Sequence, residues 1–190
     1  MHRDGDWHAA LHIWVGGIGP DGRTFVLLQR RSQTKDTWPG ALDVAVGGHF
    51  RAGETLADTA READEEIGLK IPVGSLVPLG CRFSHGAVLP DNEVQHAYAF
   101  RSDRPLEAYR LHPEEVDAVV QLPLDAALAV FEGRRAAVQG LELPRGGGRR
   151  MVAVTVQGFA AGDRDGYPAL ALRGLGDVLA GRVPVPFELR

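Results

Sequence analysis

Apolar residues cluster over 7–16 and halt at Gly16-Gly17, and a second apolar run covers 25–31 beyond a Pro20-Asp21-Gly22 turn signal. Two such runs around a turn predict strands joined as a hairpin. Trp38-Pro39-Gly40 breaks the chain, and a short apolar run over 42–46 ends at Gly47-Gly48. Further strand-like runs fall near 75–81, 93–100, 118–121 and 151–156, and helical periodicity marks 124–131 and 168–180. No internal repeat and no low-complexity linker divides the chain. Strands and helices mix without a regular βαβ alternation, which predicts an α+β domain with a mixed sheet. Gly146-Gly147-Gly148, between Arg145 and Arg149-Arg150, reads as a surface hairpin loop rather than a phosphate-facing one.

The segment 55–69 carries the clearest periodicity. Thr55 with Asp58 three residues on forms a capping box with Asp in place of Glu, and Gly68 suits a helix stop. At about 100° per residue, Leu56, Ala60, Ala63 and Ile67 fall within an arc of about 60° and form one apolar stripe. Glu62, Glu65 and Glu66 crowd another side, where residues three and four apart are neighbours. Such like charges repel by about a few tenths of a kcal/mol per pair. A divalent cation reverses that sign, and carboxylate oxygens suit Mg²⁺, which binds one or two of them together with substrate phosphates.

Composition refines this picture. The 190 residues are 44% hydrophobic and 24% charged, which fits one globular domain. The formal charge of -4 argues against binding to a nucleic acid polymer, which favours a basic excess. That acidity is local: residues 54–66 hold six acids and one base, a net of -5, so the rest of the chain sums to +1. The single cysteine, Cys81, forms no internal disulfide, and with no leader-like segment at the start it leads us to expect a reducing cytoplasm. No apolar run approaches about 18 residues, so no membrane span is expected.

The stretch 48–69, GHFRAGETLADTAREADEEIGL, resembles the signature box of the Nudix hydrolase superfamily. That box reads Gly, five residues, Glu, seven residues, Arg-Glu, an apolar residue, any residue, Glu-Glu, any residue, Gly, apolar. Gly48 and Glu54 match its first part, and 61–69 match its second without a gap. One departure stands out: six residues, not seven, separate Glu54 from Arg61. Losing one helical residue rotates the later part of the helix by about 100° and shifts it about 1.5 Å. Residues 7–14, 27–32, 35–40, 47–49, 92–96 and 113–116 are further similar to the branch related to isopentenyl diphosphate isomerase, so the likeness covers about 5–132. Residues 133–190 carry no motif.

The resemblance implies an α/β/α sandwich, one domain over 1–190, and hydrolysis of a diphosphate linkage in a nucleoside diphosphate derivative or related organic pyrophosphate. It implies Mg²⁺ or Mn²⁺ held by Glu62, Glu65 and Glu66, with Glu93 adding a ligand, and Arg61 orienting the neighbouring carboxylates. The general base is Glu66 or a loop glutamate, Glu114 or Glu115. Arg30, Arg31, Lys35 and His49 would meet the substrate, and Gly48 with Glu54 would shape the loop. Two other functions stay open. In the isomerase, histidines and acids from matching segments hold the metal, and His8, His49, Asp91 and Glu93 fall at similar positions; but 43–48 contains no reactive thiol. The short box also fits a non-catalytic nucleotide-binding domain.

Overall fold

In a computed structural model the structure describes residues 7–85, 92–160 and 165–190; Asp91 lies outside them. Ten strands form one mixed sheet: β1 (Trp7–Ile18), β2 (Thr24–Arg31), β3 (Leu42–Val44), β4 (Val46–His49), β5 (Val77–His85), β6 (Asn92–Arg101), β7 (Val116–Pro123), β8 (Val138–Pro144), β9 (Arg150–Val154) and β10 (Phe187–Leu189). The order is β10-β5-β6-β1-β2-β7-β8-β9, with β3 on β2 and β4 on β1. β1 runs parallel to β6 and antiparallel to β2. β1 and β2 pair directly only from Val15 and Leu27 to Ile18 and Thr24. Beyond that point they part, β4 takes over pairing along Ala10 to Ile13, and β3 takes over along Leu28 to Arg30.

Side chains alternate across a strand, so this sheet builds two cores. Leu11, Ile13, Val15 and Leu27 face a layer containing Ala60, Ala63 and Ile67 of α1 (Leu56–Thr59) and α2 (Glu62–Ile67). Trp14, Val26, Leu28 and Val120 face α3 (Leu124–Phe131) and α4 (Tyr167–Leu179). The result is the expected helix–sheet–helix sandwich. The expected surface hairpin is also present, joining β8 to β9 through the Gly-rich turn. No helix among the described residues is long and apolar enough to cross a membrane.

The structure differs from the sequence expectation at the box helix, which is broken rather than continuous. Thr55 caps α1 through both halves of the capping box. The backbone then tightens: Arg61 N–H bonds to Asp58 O, Ala63 to Ala60 O and Asp64 to Arg61 O, each three residues back. Three-residue turns advance about 120° per residue against about 100° in an α-helix. Across the break Ala60, Ala63 and Ile67 stay at 4% exposure or less.

The C-terminal part is integral to the domain. Tyr167, 1% exposed at the start of α4, accepts a hydrogen bond from Trp14 Nε1 at 3.0 Å, and its hydroxyl also meets His12 Nδ1 at 2.9 Å. Tyr167→Phe leaves both partners buried without their oxygen. We expect it to cost about 1–3 kcal/mol in urea unfolding; an unchanged midpoint would show that α4 docks by apolar contact alone.

Candidate active site on the acidic helix

Two features of the backbone bring the helix acids onto the sheet. At Gly48 a Cβ would stand 3.0 Å from Glu62 Cγ, so glycine there lets β4 lie against α2. At the far end Gly68 adopts φ 67, and Leu69 N–H and Gly68 N–H return to the carbonyls of Ala63 and Asp64 in the last turn. A Cβ on Gly68 would also stand 3.1 Å from Arg110 Cβ. That close approach lets Arg110 N–H and His112 N–H bond to the carbonyls of Ile67 and Glu66, at 3.0 and 2.8 Å. The loop preceding β7, which carries Glu114 and Glu115, is therefore clamped to the end of α2.

The three box glutamates sit in three environments. Glu65 is exposed, Glu62 is half-buried and Glu66 is buried at 7% exposure. Burial is the main force raising the Glu66 carboxyl, to about 8, with the charges of Glu62 and Glu115 adding to it and Lys35 opposing. Glu62 is raised as well, first by burial and then by Glu65. Gln29 of β2, 3% exposed, donates from Nε2 to Glu66 Oε2 at 3.3 Å. Lys35 Nζ meets Glu115 Oε2 at 2.5 Å. Arg31 holds Asp43 Oδ2 at 3.2 Å and the Thr37 carbonyl at 3.1 Å. Glu62, Glu66, Glu115, Lys35, Gln29 and Arg31 thus surround one polar centre on the α2 side of the sheet. Its donors are oxygens, the set that fits a hard divalent cation.

Other expected residues stand elsewhere. Arg61 is turned to solvent, its Nε on the Asp58 carbonyl at 3.1 Å and Nη2 3.7 Å from Asp58 Oδ1, rather than orienting the box glutamates. Glu54 accepts from Arg51 N–H at 2.9 Å and so closes the loop after β4. Glu114 is exposed. Arg30 points to the α3–α4 face, where it binds the fully buried Glu142 at 2.6 Å; Arg150 binds the same carboxylate from the other side.

His49 and Glu93 also belong to that opposite face, because Gly48 faces Glu62 and its neighbour alternates away. His49 Nε2 lies 2.9 Å from Glu93 Oε1, and His8 Nε2 lies 3.7 Å from it. Among the described residues, His8, His49 and Glu93 are the only three metal-ligating side chains with ligand atoms all within 4.8 Å of one another; the box glutamates do not converge to that degree. Burial alone would raise the Glu93 carboxyl, but hydrogen bonds from His49 and Gln95 outweigh it and hold the group down at about 2. His12 of β1 is half-buried nearby, and its loss of solvent lowers its imidazole. Gln29 was missed in the sequence; its place between Leu28 and Arg30, facing the side of Leu27, is the signal that marks it as an inward polar residue.

Residues 12–141 match the NUDIX domain family model. Together with the box helix on a mixed sheet, this places the chain in the NUDIX domain family. It is 38% identical over 133 residues to Nudix hydrolase 3 of Arabidopsis thaliana, covering 66% of this chain and 17% of that protein. It is 33% identical over 129 residues to an uncharacterized Nudix hydrolase of Clostridium acetobutylicum, covering 66% of this chain and 61% of that one. The chain therefore spans less than two thirds of either relative's length. Its fold is similar to that of a Caenorhabditis elegans Ap4A hydrolase, with TM-score 0.52 and 15% identity over 92% of this chain and 98% of that one.

The raised Glu66 has a consequence for stability. Its folded value exceeds the unfolded one, so the folded state binds the extra proton and stability falls as pH rises from about 4.5 to about 8. In metal-free protein, Tm should fall across that window for the wild type, and Glu66→Gln should remove much of the fall. Parallel pH profiles for the two proteins would contradict the burial of this charge.

Proposed function

We propose that this protein is a Mg²⁺- or Mn²⁺-dependent pyrophosphohydrolase that cleaves the diphosphate linkage of a nucleoside diphosphate derivative or related organic pyrophosphate. The observation that carries this reading is the buried Glu66 carboxyl beside Glu62 and Glu115 at the clamped end of α2. Placing acids together out of water costs stability unless a cation compensates them. Glu62, Glu65 and Glu66 hold the cation, directly or through water. The bound cation supplies neutralisation of the charge that builds on phosphate oxygens as water attacks phosphorus. Glu66 and Glu115 are the two candidates for the base that takes the proton from that water. Lys35 and Arg31, on the same side of the sheet, meet the substrate phosphates. The substrate is a small molecule met in the cytoplasm, and residues 1–190 act as one Nudix domain.

A specific observation favours a second reading of the metal. The converging imidazoles of His8 and His49 with Glu93 offer a mixed nitrogen–oxygen site of the kind the isomerase-like resemblance implies. The reaction of the isomerase itself lacks its donor here: residues 43–48 contain no thiol, and Cys81 lies on β5. A domain that binds nucleotide without cleaving it remains the alternative outside catalysis.

Hydrolysis of a panel of nucleoside diphosphate derivatives, with and without Mg²⁺, read as formation of the nucleoside monophosphate and the second phosphate ester, separates these readings. We expect metal-dependent turnover, lowered at least about 100-fold by Glu66→Gln with the fold retained. No turnover on any compound, with melting unmoved by Mg²⁺ or Mn²⁺, would overturn the enzyme reading.

A further inference from the structure

Gln29 is buried in the middle of the sheet, yet only half of its amide is used. Nε2 donates to Glu66 Oε2 at 3.3 Å, while Oε1 is buried and accepts no hydrogen bond among the described residues. Buried polar atoms are nearly always satisfied, so an orphaned carbonyl oxygen calls for a donor or a cation. The two cations of the centre are taken, Lys35 by Glu115 and Arg31 by Asp43 and the Thr37 carbonyl. Glu66, Glu62, Glu115 and Asp43 all act on this centre as acids, and Gln29 stands opposite Asp43 in the β2–β3 register. An amide oxygen has the same hard-donor character as the carboxylates around it, and hard cations accept side-chain carbonyls alongside carboxylates.

We propose that Gln29 is a ligand of the cation held by Glu62 and Glu66, its Oε1 meeting the ion directly or through one bound water while its Nε2 fixes the Glu66 carboxylate. This rests on the reading of the α2 centre as a cation site and adds a residue that lies outside the acidic box. The two ends of one amide then do different work. The donor end orients an anionic ligand, and the acceptor end is a ligand itself. Neither role can be filled by an apolar residue of the same size.

The test uses Mn²⁺ as the probe and paramagnetic resonance of free Mn²⁺ as the readout, on the full chain. Wild type, Gln29→Leu, Gln29→Glu and Glu66→Gln are titrated, with melting recorded without metal. Gln29→Leu should weaken Mn²⁺ binding at least about tenfold while melting at or above the wild-type temperature, because it relieves the orphaned oxygen. Gln29→Glu keeps an oxygen in place and should bind Mn²⁺ at least as tightly as wild type. Wild-type affinity in Gln29→Leu overturns the assignment, and so does weakened binding in Gln29→Glu. If Gln29→Leu fails to fold, Gln29→Glu alone decides. Should wild type bind no Mn²⁺, or Glu66→Gln bind as wild type does, the reading of the acidic centre fails and the Gln29 assignment with it. Loss in Glu66→Gln with none in Gln29→Leu overturns Gln29 alone.

Discussion

The organising constraint is that one short helix must bury apolar and acidic residues side by side. Ala63 and Ile67 of α2 complete the core against β1 and β2, and the same turn carries Glu66 to the sheet. Packing and charge therefore cannot be separated: any shift that exposed Glu66 to water would also lift Ile67 from its contacts. The apolar stripe contributes about 1.5–3 kcal/mol for a fully buried large side chain, which offsets part of the cost of holding a carboxyl out of water. The clamp from Arg110 and His112 onto the last carbonyls of α2 then fixes the second acidic element, Glu115, beside the first.

The sheet itself divides the chemistry. Because β1 and β2 part after a short direct pairing, β3 and β4 enter between them and deliver residues to both faces. Alternation sends Gly48 toward Glu62 and His49 toward Glu93, so adjacent residues serve different centres. On one face the donors are carboxylates and an amide. On the other, His8, His49 and Glu93 adjoin a network that runs out to the surface, in which Gln95 donates to Glu93 at 2.6 Å, Arg82 donates to Gln95 at 3.3 Å, and Asp165 holds Arg82 at 2.6 Å. Asp165 and Tyr167 belong to the C-terminal part, beyond the matched family region, so that part closes over the second face.

Much of this was legible in the sequence because it depends on local pattern. Capping by Thr55, the stop at Gly68, the apolar stripe and the strands β1, β2, β6 and β7 all follow from spacing alone. What was not legible came from tertiary contact. β8 is hidden because its positions facing the α3–α4 side include Gly140, packed on Leu122, and Glu142, neutralised by Arg30 and Arg150, neither of which reads as an inward strand residue. β10 is three residues long and owes its place to Gly80, where a Cβ would stand 2.1 Å from Phe187 O. The face on which Arg30, His49 and Glu93 fall depends on strand register, which motif spacing does not carry. The break between α1 and α2 is likewise not legible, because a continuous helix would put the same apolar residues on one stripe.

We propose that a divalent cation bound at α2 displaces the proton of the buried Glu66 carboxyl. Calorimetric titration of Mg²⁺ or Mn²⁺ at pH 7, repeated in buffers of different ionisation enthalpy, counts the protons released on binding. Wild type should release about one proton per cation, since burial pushes the Glu66 carboxyl up to about 8, and Glu66→Gln close to none. Cation binding without proton release, or equal release from both proteins, would contradict it.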